Sequence, residues 1–95
     1  MDNLTIQPQS QPVSHLAETQ AKFKGMHPDC IILMRSKDWY VTANEDAVTV
    51  SETLGITLTK TKHGEKQAGF PYTALDIYLP KLIRAGHRVA ITDLI

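Results

Sequence analysis

An uninterrupted run of five apolar residues, Cys-Ile-Ile-Leu-Met at 30–34, constrains the fold of this chain more than any other feature. The run is too short for an independent helix and is rich in residues that favour strands. Apolar side chains on both sides of the backbone are typical of a strand that is buried on both faces. We therefore predict that residues 30–34 form a strand that lies centrally in a sheet.

A second strand is predicted directly after this run. Residues 36–38 (Ser-Lys-Asp) indicate a turn, and residues 39–43 (Trp-Tyr-Val-Thr-Ala) follow with the two-residue period of an antiparallel strand. Residues i and i+2 of a strand point to the same face. Trp39 and Val41 are therefore expected to share one face, and Tyr40 is expected to point into the core. Together the two strands should form a hairpin.

Two of the three predicted helices are marked by their capping residues. Ser14 is expected to be the N-cap of the first helix, which runs to Lys24 and is stopped by Gly25. Asn44 is expected to be the N-cap of the second helix, which ends at Gly55.

The last helix has the clearest apolar periodicity, with one face formed by Leu75, Tyr78, Leu79, Leu82 and Ile83. Pro80 removes a backbone donor, so a kink or a shorter first segment is expected, and Gly86 is expected to close the helix. Further strands are predicted at 56–60 and 88–91, with a mobile loop at 61–67 and a connection at 68–71. The fold class predicted is α/β, a mixed β-sheet packed with about three helices.

The length and composition are those of one compact domain. The chain has 95 residues, of which 42% are hydrophobic and 21% charged. Residues 1–13 are polar and rich in Gln and Pro, so we expect a flexible N-terminal tail followed by a single domain at 14–95. No apolar run is long enough to span a bilayer and no signal peptide is evident, so a cytoplasmic location and no membrane contact are expected.

The sequence contains no constellation that supports catalysis. Neither G-x-x-x-x-G-K-[ST] nor G-x-G-x-x-G occurs, so neither familiar phosphate-binding loop is available. Cys30 lies in the apolar run and is expected to be an inert thiol, while Glu45 and Asp46 are explained by the positive end of a helix dipole. The histidines lack metal-ligand spacing. We therefore predict no enzymatic activity, no cofactor and no metal.

Seven short segments occur in the same order and at nearly the same spacing as in a known family. They are His-Pro-Asp at 27–29, Asp-Trp-Tyr at 38–40, Glu-Asp-Ala at 45–47, Leu-Gly-Ile-Thr-Leu-Thr-Lys at 54–60, Ala-Gly-Phe-Pro-Tyr-Thr-Ala at 68–74, Tyr-Leu-x-Lys-Leu at 78–82 and Gly-x-x-Val-Ala-Ile at 86–91. Residues 23–95 resemble the N-terminal mismatch-recognition domain, domain I, of the MutS DNA mismatch repair family. The resemblance implies a stand-alone copy of that domain, with its mixed sheet surrounded by helices.

The resemblance also implies a DNA contact. In the family a Phe-x-Glu motif on the second strand places an aromatic ring beside a mispaired base, and its glutamate hydrogen-bonds that base. Trp39 and Val41 occupy these two positions. Trp39 keeps the stacking ring, whereas Val41 cannot accept a hydrogen bond, so the motif is degenerate. Lys37 stands where the family has glycine, which alters the turn and adds a positive charge.

A second group of candidate DNA contacts is the local basic cluster Lys60, Lys62 and Lys66, beside His63. The cluster either contacts phosphates or is an ordinary solvated loop. Trp39 likewise has two interpretations, because an aromatic residue in a strand can pack on the sheet instead of contacting a ligand.

Two functions follow from these expectations. The first is a non-enzymatic DNA-binding accessory that binds mismatched or distorted double-stranded DNA through Trp39, with Lys37 and the loop lysines on the backbone. Its ten basic and ten acidic residues cancel, so this binding should be weak. The alternative is a protein–protein interaction module that docks on a larger repair, replication or mobile-element protein and has no DNA binding of its own, with Trp39 as the anchor.

Overall fold

A computed structural model describes residues 14–94, and the tail predicted at 1–13 lies outside them. The helices are α1 (His15–Met26), α2 (Asn44–Leu54) and α3 (Leu75–Arg84), with a 3₁₀ turn at Tyr72–Ala74 before α3. The strands are β1 (Cys30–Ser36), β2 (Trp39–Ala43), β3 (Thr59–Lys60), β4 (Lys66–Pro71) and β5 (Arg88–Asp93). The predicted α/β class is confirmed.

The five strands form one mixed sheet in the order β3–β4–β2–β1–β5. The parallel pair β1–β5 lies beside the antiparallel pairs β1–β2, β2–β4 and β3–β4. The prediction for β1 is confirmed, because it has a strand on each side and its residues 31–34 are buried on both faces of the sheet. The predicted hairpin is also confirmed, with Met34 opposite Val41 and Ser36 opposite Trp39.

Each face of the sheet is covered by a separate apolar cluster. Helix α1 covers one face, where the buried residues are Leu16, Ile32, Met34, Val41 and Ala43. Helices α2 and α3 cover the other face, where the buried residues are Ile31, Leu33, Tyr40, Val50, Phe70 and Leu82. Tyr40 points into this second cluster, as predicted.

A buried carboxylate joins α1 to the rest of the molecule. Asp46, in the first turn of α2, accepts hydrogen bonds from Gln20 Nε2 at 2.7 Å, Ile32 N–H at 3.0 Å and Lys24 Nζ at 2.8 Å. The side-chain oxygen of Gln20, Oε1, accepts from the Ala43 N–H at 3.2 Å. Because a buried charge is costly without partners, this network fixes α1 against β1, β2 and α2.

Two predicted helix ends are wrong. Helix α1 continues through Gly25 to Met26, because one glycine costs a helix only about 1 kcal/mol relative to alanine. Asn44 makes no capping hydrogen bond; it lies inside the start of α2 with a φ of 60°, and Ala43 holds the N-cap position. Ser14 is confirmed as the N-cap of α1, since its side chain accepts from the Ala17 N–H at 3.0 Å.

The largest correction concerns residues 56–71. Only Thr59–Lys60 of the predicted strand at 56–60 is a strand, and residues 66–71, predicted as loop and connection, form β4. Five residue pairs join β4 to β2, and Phe70 is 2% exposed in the core. Gly69 and Pro71 favour an irregular segment in the local sequence. Pairing with β2 nevertheless makes residues 66–71 a strand.

Helix α3 contains Pro80 without ending there. The carbonyl that Pro80 cannot bond, that of Asp76, lies in the exposed first turn, where water can satisfy it. Leu82 is fully buried, but Ile83 is 52% exposed, so its predicted place on the buried face is wrong. The final strand extends to Asp93, two residues beyond the prediction. No helix within 14–94 combines the length and apolarity required to cross a membrane.

Candidate nucleic-acid interface

The β1–β2 hairpin closes with a two-residue turn, Lys37 and Asp38, between the paired residues Ser36 and Trp39. Lys37 has a φ of 55°, and a positive φ at the first turn position is the pattern of a type II′ turn, which favours glycine. A side chain in this left-handed region costs about 1 to 2 kcal/mol. The turn thus keeps the backbone shape that a glycine would adopt, although lysine occupies the position.

Trp39 is 49% exposed although it lies in a strand between two neighbours. It is directly opposite Ser36 of β1 and Pro71 of β4. Strand alternation directs its side chain to the face that α1 covers, as predicted for Trp39 and Val41 together. The ring is not enclosed by the core.

Val41 differs from Trp39 in burial. It is 8% exposed and belongs to the cluster beneath α1. Gly69 lies directly opposite, and a Cβ there would be 3.0 Å from Val41 Cγ1 and 2.8 Å from the Tyr40 carbonyl oxygen. The valine methyl groups therefore fill space in the core, and the face shared by the two residues is open only at Trp39.

An open groove of about 500 Å³ follows β4 from the indole. Its lining includes Trp39, Ile56, Thr59, Gln67, Pro71 and Tyr78. Strand β3 pairs only with Lys66 and Gln67, so the outer edge of residues 68–71 has no strand neighbour among residues 14–94. The groove combines an aromatic wall with this free strand edge.

The predicted basic residues do not lie together. Lys37 adjoins Trp39 through the turn, whereas Lys60 and Lys66 are paired at the opposite end of β4, about 16 Å along the strand from Pro71. The neighbouring pair of Thr59 and Gln67 shares the face of Trp39, so alternation directs Lys60 and Lys66 to the other face.

The turn that carries Lys62 is fixed by one carboxylate. Glu65 Oε1 accepts from Ser14 Oγ at 2.5 Å and from Thr61 Oγ1 at 3.1 Å. The hydrogen bond from the Ser14 side chain is the main reason that the pKa of Glu65 is lowered from its ordinary value. The loop predicted to be mobile is therefore joined to the start of α1.

Two residues that sequence reasoning did not select contact the tip of the β1–β2 hairpin. Arg35 Nε donates to the Lys37 carbonyl at 2.5 Å, and its guanidinium carbon lies 4.2 Å from the centre of the Tyr72 ring. The Tyr72 N–H donates to the Asp38 carbonyl at 2.8 Å. Arg35 belongs to none of the family segments and Tyr72 belongs to the segment at 68–74, but neither position predicted the contact, which exists only because the folded sheet brings the two side chains together.

Within the described range, no group of three or more His, Cys, Asp or Glu side chains could hold a metal ion.

A family model described as MutS domain I matches residues 16–94. The chain belongs to the MutS domain I family. The DNA mismatch repair protein MutS of Phocaeicola vulgatus is 57% identical over 76 residues, which is 76% of this chain and 9% of that protein. The MutS of Porphyromonas gingivalis is also 57% identical over 76 residues, covering 76% of this chain and 8% of that protein.

A more divergent relative covers more of the chain. The MutS of Methanothrix thermoacetophila is 43% identical over 86 residues, or 85% of this chain and 10% of that protein. The resemblance predicted from the seven ordered segments is confirmed. This MutS domain I chain spans only 8% to 10% of the length of these three relatives.

Proposed function

We propose that this MutS domain I chain contacts mismatched or otherwise distorted double-stranded DNA, without catalysis, by stacking Trp39 against an unstacked base. The observation that carries the proposal is the half-exposed indole on β2, in a domain of a family whose relatives bear the name DNA mismatch repair protein. A flat exposed ring on a rigid strand is the side chain suited to entering a weakened base step.

We expect this contact to select DNA that is easily deformed and not a particular base. Val41 is buried and has no hydrogen-bond acceptor, so the surface offers no carboxylate beside the ring to test base identity. A mismatch or a bulge lowers the cost of unstacking, and that lower cost favours wedge insertion there. In this proposal Lys37, two residues before Trp39 in the turn, contacts the adjacent phosphate.

The affinity of the chain by itself is expected to be weak. Its formal net charge is zero, and Lys60, Lys62 and Lys66 lie at the far end of β4 from the indole. Phosphate neutralisation supplies much of the affinity of DNA-binding proteins, and one lysine beside the wedge supplies little of it. We propose that a larger repair or mobile-element protein strengthens the contact.

The direct test is a titration with labelled homoduplex, single-mismatch duplex and single-base-bulge duplex at low salt. Trp39 is the only tryptophan, so its emission reports stacking in the unmodified protein. We expect quenching with the bulge first, then the mismatch, and least with homoduplex. Trp39→Ala should weaken bulge binding, followed by anisotropy of labelled DNA, by about 10-fold, since stacking contributes about 1 to 3 kcal/mol per base.

Ile77→Ala is the matched control, because Ile77 is an apolar residue of α3 that is 59% exposed. It should leave DNA binding and thermal stability unchanged. Equal affinity for all three duplexes, or no change in Trp39 emission at high protein concentration, would contradict the proposal.

A second candidate is the protein-interaction module, and the groove beside Trp39 favours it. An aromatic wall next to a strand edge that has no strand neighbour within residues 14–94 suits an extended peptide, and Trp is frequent among interface hot spots. Under this function, Trp39→Ala would abolish capture of a partner while the DNA titrations remain flat.

A further inference from the structure

Arg35 and Tyr72 hold the two residues that precede Trp39. The Arg35 Nε–H bond fixes the carbonyl of Lys37, and the Tyr72 backbone N–H fixes the carbonyl of Asp38. The guanidinium lies over the Tyr72 ring at 4.2 Å and 5.7 Å from the centre of the Tyr40 ring. Both carbonyls of the two-residue turn are therefore held by hydrogen bonds from Arg35 and Tyr72. We name these two residues the clamp.

The clamp lies on the opposite face of the hairpin from the indole. Arg35 is directly paired with Tyr40, whose side chain enters the cluster under α2 and α3, whereas Trp39 is directed to the α1 face. A cation on the far side of the strand is poorly placed to contact the phosphates flanking a base on which Trp39 stacks. Arg35 instead contacts the backbone of the turn that leads into Trp39.

The turn needs such support because Lys37 has a positive φ, a conformation that a lysine rarely adopts by itself. Without the clamp, the turn would be free to relax toward a conformation with negative φ. Trp39 follows the turn by one residue, so its ring direction would change with that relaxation. The backbone pairs with Ser36 and Pro71 fix the position of Trp39 but not the turn before it.

We infer that Arg35 and Tyr72 are positioning residues that fix the direction of the Trp39 indole by bracing the Lys37–Asp38 turn. The inference rests on the proposed function only for its effect on DNA, because the orientation of the ring is measurable in the free protein. Planar stacking and the Nε–H donor are specific to arginine, so lysine cannot replace it despite equal charge.

The first experiment uses the free protein and three substitutions. Time-resolved anisotropy of Trp39 is measured in Arg35→Lys and Tyr72→Leu, with Arg84→Lys as a charge-matched control at an exposed position of α3. We expect a larger fast component of indole motion in the first two variants and none in the control. Tyr72→Phe keeps an aromatic ring under the guanidinium, so the indole motion in this variant should match that in the native protein. Thermal melts of the variants should differ from that of the native protein by less than about 4 °C.

The second experiment is a double-substitution cycle on bulged DNA. Arg35→Lys should weaken binding about five-fold in the native background and less than about two-fold when combined with Trp39→Ala, because a positioning residue acts through the ring it positions. An equal loss in both backgrounds would mean that Arg35 contacts DNA directly, which overturns the inference.

The remaining outcomes are equally decisive. Unchanged indole motion in Arg35→Lys overturns the inference, as does a large fall in melting temperature with a global loss of structure. If the native protein binds no DNA, the proposed function fails, but the anisotropy of the free protein still decides whether the clamp positions Trp39.

Discussion

The two hairpins of the sheet meet where β4 pairs with β2, but they are built differently. The β1–β2 hairpin has strands of seven and five residues, a turn braced by Arg35 and Tyr72, and one exposed aromatic ring. The β3–β4 hairpin has only two residue pairs, one of which places Lys60 opposite Lys66, and its turn is tied to α1 through Glu65.

The difference between the two hairpins matches the needs of two kinds of DNA contact: a stacking ring requires a rigid backbone, and a lysine on a phosphate does not. A wedge works only if its ring is held at one angle, because a misdirected ring loses stacking. A lysine contacting a phosphate needs little orientation, since its ammonium is a point charge on a flexible stem. The ring is accordingly on the hairpin whose turn is braced by Arg35, whereas Lys60, Lys62 and Lys66 lie at the exposed end of the β3–β4 hairpin.

The largest effect is expected where β4 passes β2. Gly69→Ala places a Cβ 2.8 Å from the Tyr40 carbonyl oxygen, so the strands must separate. We expect a loss of about 2 kcal/mol in the free energy of unfolding, within the range for overpacking. Urea denaturation measures it. Gly25→Ala is the control, since nothing lies within 4 Å of its Cβ, and it should be neutral or stabilising.

A smaller loss is expected at the link between α1 and the β3–β4 turn. Ser14→Ala removes both the cap of α1 and the hydrogen bond to Glu65, for a loss of about 1 to 2 kcal/mol. Hydrogen exchange should rise at the β3–β4 turn and remain unchanged at Lys37 and Trp39. Equal loosening of both hairpins would show that they are not independent.

The same link predicts a pH dependence. The folded state lowers the pKa of Glu65, chiefly through the Ser14 hydroxyl, with Thr61 and His63 also lowering it. Its stabilisation is therefore present above the ordinary carboxyl pKa of about 4.3 and is lost as pH falls below that value. Glu65→Gln should lower stability at pH 7 and flatten the fall in stability between about pH 5 and pH 3. Parallel curves for the two proteins would contradict this assignment.

A gain is expected at the turn of the β1–β2 hairpin. Lys37→Gly relieves the positive φ, and we expect about 0.5 to 1 kcal/mol of added stability after the greater chain entropy of glycine is subtracted. Chemical denaturation measures the gain. A loss of stability would mean that the lysine side chain contributes contacts larger than its backbone cost.

The smallest effect is expected from the lysines of the β3–β4 hairpin. Replacing Lys60, Lys62 and Lys66 together by Gln should weaken binding to bulged DNA about three-fold at low salt and reduce its salt dependence. Unchanged binding would show that these three lysines are solvated and do not contact DNA. A loss larger than that of Trp39→Ala would move the centre of the interface to this hairpin.

Local sequence determined much of the architecture. The apolar run of β1 predicts a strand buried on both faces, and the alternation of β2 after a turn predicts the second strand of a hairpin, because each pattern is local to its own strand. Neighbouring residues also predicted the N-cap at Ser14, the end of α2 at the left-handed Gly55 and the burial of Leu82. Family membership followed from ordered motifs, and residues 16–94 match it.

Tertiary structure decided the parts that matter to the proposed interface. Strand β4 exists because β2 pairs with it, and the alternation of Ala68 and Phe70 with Gln67 and Gly69 is too short to have predicted a strand beside Pro71. The same pairing buried Val41, left Trp39 half exposed and brought Tyr72 to Arg35. Periodicity shows which side of a strand a residue occupies, but the cover over that side comes from residues distant in the chain. The exposure of one indole is therefore a property of the assembled sheet.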